Sequence, residues 1–327
     1  MKRRTLLGGA AGALTAPWIA RGTAQADTYP SRPITMIVPY GPGGGVSINA
    51  RALLPYYEKT LGTRILVENR TGAGGITGIT VAARAKPDGY TIIMIAPAVT
   101  AAPLLVPHVS FTPEDFAYIG QVSFVPNMLV VHADSPWKTL KELVATMQAK
   151  PDTVSTGMEA SWPSSTICEA VFLARSGCKA RLVPGFKGGA EKIAALLGHH
   201  LDFSVNNTQE VMPLYEAKKV RILAMAAPAR SPLFPDVPTF RELGYDVDVG
   251  VWRTIAVPKD TPQPIQDKLS SALHQALQNP DLARDFKKVE LTVDYLDPAA
   301  TRKTVMAEYA EFDKLFTGLG MNVRHKA

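Results

Sequence analysis

The chain has 327 residues, of which 46% are hydrophobic and 20% charged, with two cysteines and a formal charge of +6. Loss of an N-terminal export segment removes Lys2, Arg3, Arg4 and Arg21 and no acid, which leaves +2. Scattered charge of that size is no nucleic-acid footprint, and one cysteine pair with dispersed histidines suggests no metal site.

Taken in order, the chain begins with three basic residues, an apolar run from Leu6 to Leu14 and the small-x-small stretch AQA at 24–26. This is the pattern of an export signal, with an apolar run too short to span a bilayer. The basic pair in KRRTLL also fits twin-arginine export. Residues 1–26 are therefore expected to be removed, and the mature chain to begin at Asp27. No later apolar stretch is long enough for a membrane helix, so the mature protein is expected to be soluble and outside the cytoplasm. Roughly 300 residues are enough for two α/β domains.

PITMIVPY reads as a buried strand, VSINARALLPYYEKTLG as a helix, RILVEN as a strand, GGITGITVAARAK as a helix and YTIIMIA as a third strand. This β-α-β-α-β order predicts a parallel sheet covered by helices. Its strands end in small-residue loops, GPGGG, RTGAGG and APAVTAA. Ligands of open α/β sheets sit at the carboxyl ends of the strands, so these loops should converge on one site.

A second series starts near Asn127. NMLVVH is a strand, TLKELVATMQAK a helix, DTVSTGM a strand leading to the helix SSTICEAVFLARSG, and ARLVPGF a strand leading to the helix GGAEKIAALLG. HLDFSV, a short helix and VRILAMA follow, then the proline-rich APARSPLFPDVPTF, expected as an irregular surface segment. VDVGVWRTIAVP is an extended run, and two or three helices from Thr261 complete the chain. An intact helix between Cys168 and Cys178, ending at Gly177, would hold the two sulfurs beyond disulfide reach, so two free, mostly buried thiols are expected. Crossings between the two series are expected at 123–127 and 250–253, with one lobe formed by 27–127 plus 251–327 and the other by 128–250. A cleft between hinged lobes suits capture and release of a ligand.

Several ordered motifs then point to a family. YPSRPITMIVPYGPGGG, VENRTGAGG, KPDGYT, VPNMLVV, FKGGAEKIAALLG, RSPLFPDVPT and AVPKDTP together make the chain resemble the periplasmic solute receptors of tripartite tricarboxylate transporters, the Bug family. The resemblance implies an α/β, two-lobed periplasmic-binding-protein fold (type II-like), each lobe a mainly parallel sheet flanked by helices. It implies a monomeric receptor in the periplasm that closes on a small carboxylate (mono-, di- or aromatic) and delivers it to a membrane permease. No cofactor is implied, and no catalysis.

The first glycine loop agrees with this, because bare backbone N–H groups at a helix start form an anion site. Tyr40, Gly43, Gly44, Gly45, Val46 and Ser47 are assigned to ligand binding there; a tight turn is the alternative, and Ser47 can instead cap the helix. TGAGGITG at 71–78 lacks the last glycine of a dinucleotide fingerprint. It fits helix–sheet packing better, with Gly74 and Gly75 as candidate donors. Ala98 and Thr100 of the third loop are further candidates, Thr100 alternatively as a cap.

In the second lobe, Ser164, Ser165 and Thr166 open a helix, at least one expected as an N-cap, with Ser164 and Ser165 assigned to the site. Glu159 is expected to face solvent or to pair with a cation, and Trp162 to stack on a planar ligand or simply to pack. Phe186, Lys187, Gly188, Asn206 and Asn207 are the remaining second-lobe candidates. Relatives often carry acids at the positions of Ser47 and Asn206, and their loss favours a more fully anionic ligand over an amino acid. Arg253, beside Trp252 at the second crossing, offers a counter-charge, the alternative being an exposed strand arginine. No Gly-x-Ser-x-Gly elbow, His-Glu-x-x-His helix or Walker loop is present. A sensory adaptor for a receptor kinase and a periplasmic hydrolase on the same scaffold are the competing functions.

Overall fold

The computed structural model describes residues 29–159, 163–231 and 233–325; the expected export segment, Asp27 and Trp162 lie outside the described residues. The first series forms β1 (Ile34–Val38), α1 (Gly45–Leu61), β2 (Ile65–Asn69), α2 (Ile76–Ala83), β3 (Thr91–Ile95) and α3 (Ala98–Leu105). β1 pairs in parallel with both β2 and β3. Its ITMIV and the TIIMI of β3 are almost entirely buried, as strands covered by helices on both faces must be.

β4 (Phe116–Val125) carries the chain toward the second lobe. That lobe holds β5 (Asn127–His132), α4 (Leu140–Ala149), β6 (Ser155–Glu159), α5 (Ser164–Ser176), β7 (Arg181–Phe186), α6 (Gly189–Leu197), β8 (Phe203–Asn207), α7 (Thr208–Glu216) and β9 (Val220–Ala226). The chain returns on β10 (Val251–Pro258) and ends with α8 (Gln263–Leu277), α9 (Pro280–Lys288), β11 (Val293–Leu296) and α10 (Pro298–Gly318).

The sheets are mixed, which corrects the expectation of mainly parallel lobes. The first has the order β11-β4-β10-β3-β1-β2, with β10 antiparallel to β3 and β4, and β11 antiparallel to β4. A chain that leaves on β4 and comes back beside it on β10 must run in opposite directions at that crossing. In the second lobe β5 lies between β8 and β9, antiparallel to both, and only the separate β6–β7 pair is parallel. The register gives the reason: Asn127, where β5 starts, lies opposite Asn207 and Ala226, where β8 and β9 end. β5 begins at the crossing, and the other two finish there.

Two further expectations change. The proline-rich segment is not a surface loop: Phe234, Val237 and Phe240 are buried, and its backbone bonds to both the N–H and the carbonyl of Met225. The C-terminal part contains β11 as well as three helices. The cysteines behave as expected. α5 ends at Gly177 in the left-handed conformation (φ 64°), and Cys168 and Cys178 are free and buried.

α10 ties the two halves together. Val305 packs with first-lobe residues, whereas Phe312 and Phe316 belong to an apolar cluster that joins Ala101 and Leu104 of α3 to Phe172 and Phe240 of the second lobe. Midway, Glu308 accepts hydrogen bonds from Trp252 Nε1 (3.0 Å) and Thr100 Oγ1 (2.8 Å), joining α10 to β10 and α3. Burial holds its carboxyl well above the usual range, at about 8, helped by the charges of Asp248 and Glu311 and opposed by the two hydrogen bonds. A carboxyl whose folded pKa exceeds its unfolded value binds its proton more tightly when folded, so stability falls as pH rises from about 4.5 to about 8. Glu308→Gln keeps an acceptor and removes that titration. It should therefore lose less thermal stability than the parent between about pH 5 and pH 8. Equal losses in thermal unfolding at the two pH values would refute this account of Glu308.

Candidate functional site

The loops at the strand ends enclose a cavity of about 820 Å³ between the lobes. Tyr40, Gly44, Gly45 and Val46 line it from the β1–α1 turn, Ala73, Gly74 and Ile76 from the β2–α2 turn, and Ala96, Pro97 and Ala98 from the β3–α3 turn. Across from them stand Glu159, Ser164, Ser165, Gly189, Asn207, Gln209 and Glu210, with Val251 and Arg253 at the crossing strand. The three small-residue loops of the first lobe thus converge, as the position of strand ends in an open sheet requires.

Arg253 is the dominant electrostatic feature. It is only 3% exposed, yet its Nε and Nη1 have no hydrogen-bond partner, so the exposed-strand alternative is wrong. Strand alternation explains its direction. Trp252 turns to the opposite face, where it packs with Ile93 and Ala256 and bonds Glu308, and this sends Arg253 toward the cleft. Burial lowers the guanidinium pKa to about 10, Tyr40 opposing the shift, and it remains charged at neutral pH. Burial likewise pushes the Tyr40 phenol up to about 12, with Arg253 pulling it back.

Two glycines make room for this arrangement. A Cβ on Gly45 would lie 2.6 Å from Arg253 Nη2 and 3.1 Å from Gln209 Oε1, so any side chain there would displace the guanidinium. Gly75 has φ 102°, and a Cβ there would lie 3.2 Å from the Tyr40 ring. Gly43, by contrast, is exposed with open space beside it, and does not line the cavity. α1 starts at Gly45 and no side chain caps it, so its N-terminal backbone opens on the cavity through Gly44, Gly45 and Val46.

Other expected site residues are turned to structural work. Ser47 is fully buried and accepts from Asn69 Nδ2 (3.2 Å). Thr100 points at Pro97 O and Glu308. Phe186 covers Gly157, and exposed Lys187 offers only its backbone N–H, to Glu191. Gly188 is the N-cap residue of α6 and lies just behind Gly189, which does reach the cavity. Asn206 is buried and donates to Gly189 O (3.0 Å) and Glu210 Oε2 (2.9 Å). Neither Ser47 nor Asn206 lines the cavity, so the charge of the site is not set at those two positions. Asn207 lines it while capping α7, its side chain accepting from Glu210 N. α5 is preceded by Pro163 and has no side-chain cap, so neither Ser164, Ser165 nor Thr166 plays that part; Ser165 instead donates to Glu159 Oε1 (3.1 Å).

In the second-lobe wall Glu159 takes a cation partner, one of its two expected placements, whereas Lys192 and Glu210 are not among the expected site residues. Glu159 pairs with Lys192, Nζ to Oε1 3.3 Å, and Lys192 is fully buried with Glu169 Oε2 4.0 Å away on its other side. Burial raises the Glu169 carboxyl to about 7 against the pull of Lys192. Helical periodicity carried a signal for Lys192. It occupies the buried stripe of α6 with Gly189, Ile193 and Leu196, where a charge requires a partner. Far from the cleft lining, the rings of His132 and His199 lie 4.2 Å apart beside Asp134. Ligand atoms of these three fall within 4.8 Å of one another, a juxtaposition that sequence spacing did not suggest.

The profile of the tripartite tricarboxylate transporter family receptor matches residues 50–321. The UPF0065 protein in the TAR-I ttuE-ttuC' intergenic region of Agrobacterium vitis is 34% identical over 93% of this chain and 88% of its own. Among solved structures, a TctC solute binding protein from Polaromonas superposes with a TM-score of 0.82 at 29% identity, covering 89% of this chain and all of its own. MatC from Rhodopseudomonas palustris, with bound malate, gives a TM-score of 0.71 at 28% identity over 88% of this chain and 99% of its own. The chain belongs to the tripartite tricarboxylate transporter receptor family, the Bug solute-binding receptors, and has their two-lobed fold.

Proposed function

We infer that this protein captures a small carboxylate in the cleft and presents it to the membrane permease of a tripartite-type transporter. The observation that carries this reading is Arg253, a buried cation aimed into the cavity with two nitrogens unpartnered. An uncompensated buried charge costs several kcal/mol, and a ligand carboxylate would offset much of that. The uncapped start of α1 adds backbone donors and positive potential on the same wall. Malate in MatC supports a carboxylate as the ligand class. The N-terminal 26 residues fit an export signal, which would place the mature receptor in the periplasm. No helix among the described residues is long and apolar enough to cross a membrane.

The proposed contacts are Tyr40, Gly44, Gly45, Val46, Ala98, Ser164, Ser165, Asn207 and Arg253, all on the cavity wall. A ligand touching both lobes favours their approach, with the rotation taken up near 123–127 and 250–253. Because α10 packs into both lobes, its middle turns should lie near the axis of that rotation.

Arg253→Met should weaken binding of small carboxylates at least about a hundredfold. It should leave the ligand-free melting temperature unchanged or higher, because the variant removes a buried charge. Calorimetry over a panel of mono- and dicarboxylates tests both halves, and unchanged affinity would remove Arg253 from the site. Saturation with the tightest acid of the panel should also lower the radius of gyration in small-angle scattering. Tight binding with an unaltered scattering curve would exclude capture by lobe closure.

A further inference from the structure

The two walls of the cleft differ in charge. On the first-lobe side Arg253 stands alone, with no carboxylate in ion-pair contact among the described residues. On the second-lobe side the cavity is lined by Glu159 and Glu210. The start of α6, at Gly188 and Gly189, is where a glycine loop and a helix N-terminus would ordinarily receive a ligand anion. Here the protein's own carboxylates already occupy it. A Cβ on Gly189 would overlap the Glu210 carboxylate, and one on Gly188 would lie 4.0 Å from Glu159 Oε2.

Both carboxylates are held in place. Glu210 accepts from Asn206 Nδ2 (2.9 Å) and the Asn207 backbone (3.3 Å), and Glu159 accepts from Ser165 Oγ and pairs with Lys192. Lys192 does not reach the cavity, and it is shared with Glu169. Three acids therefore face one base in this wall, and it stays negative even with Glu169 protonated. Lys187, the nearest other cation along the chain, is exposed and does not line the cavity. The rest of the lining mixes apolar Ile76, Ala101, Leu105 and Ile167 with polar Ser164, Asn207 and Gln209.

We propose that the cleft selects a monocarboxylate whose far end carries a cation or hydrogen-bond donors, such as an ammonium, with Glu159 and Glu210 as the specificity-determining residues. This rests on the carboxylate reading above: the ligand's one carboxylate meets Arg253 and the start of α1, and its apolar body crosses the cavity. A second carboxylate at the far end would meet two fixed carboxylates, and like charges repel. The negative charge absent at Ser47 and Asn206 is thus supplied from different positions.

Calorimetry on the export-processed protein with matched acids tests this, each pair differing only at the far end. The pairs are succinate with 4-aminobutyrate, glutarate with 5-aminopentanoate, adipate with 6-aminohexanoate, and terephthalate with 4-(aminomethyl)benzoate. The amino acid of the best-binding pair should bind at least about tenfold more tightly than its diacid. Glu159→Gln and Glu210→Gln, made singly so that loss of one fold leaves the other, should each shrink that ratio. Arg253→Met should weaken both members of the pair. A diacid that binds more tightly than its amino partner overturns the selectivity while leaving carboxylate capture intact. Absence of binding by every acid of the set overturns both readings, and ratios unmoved by either glutamate variant remove those residues as determinants.

Discussion

A guanidinium buried without a partner is the constraint on which this cleft is organised. Arg253 lies on the strand that returns the chain to the first lobe, so its side chain is delivered to the junction of the lobes by the backbone itself. Trp252 secures the direction, because its indole is fixed to Glu308 on the far face and successive strand residues point opposite ways. Gly45 then leaves space for the charge, and the Tyr40 ring beside it rests against Gly75. Each of these features stabilises a position rather than the charge. The electrostatic cost of Arg253 is left standing in the ligand-free protein, which is the arrangement a binding site needs and a packed core avoids.

Lys192 shows the contrast within one molecule. It is buried at least as deeply as Arg253, but two carboxylates flank it and it lies behind the cavity wall. Its charge is absorbed by the protein and serves to hold Glu159 at the surface of the cleft. The two walls of the cleft therefore differ in electrostatics, with an unpaired cation on one side and supported carboxylates on the other.

The same junction holds the mechanical coupling. β4 and β10 cross side by side, and α10 runs from the first-lobe sheet to the second-lobe core through Glu308. Phe312 and Phe316 share a buried apolar cluster with Ala101 and Leu104 of α3 and with Phe172 and Phe240 of the second lobe, so that apolar contact spans the junction.

Local order was readable from the chain alone. Apolar runs, glycine loops and the stop at Gly177 placed the first three strands, most of the helices and the free thiols, because these depend on neighbours within a few residues. The convergence of the three first-lobe loops also followed, since parallel strands joined by helices leave their carboxyl ends on one edge. Strand direction in the second lobe did not follow, because it depends on where the chain crosses between lobes and not on any local pattern. Nor did the division of labour among polar residues. Ser47, Thr100, Lys187 and Asn206 had the right chemistry in the right loops, and packing turned each to a structural partner or to solvent. The pairing of Glu159 with Lys192, the place of Glu210 in the cavity wall and the unpaired state of Arg253 became visible only in three dimensions. The sequence determined which charges the protein carries; burial and distance, which arise only when remote segments meet, decided which of them are satisfied and which is left unpaired.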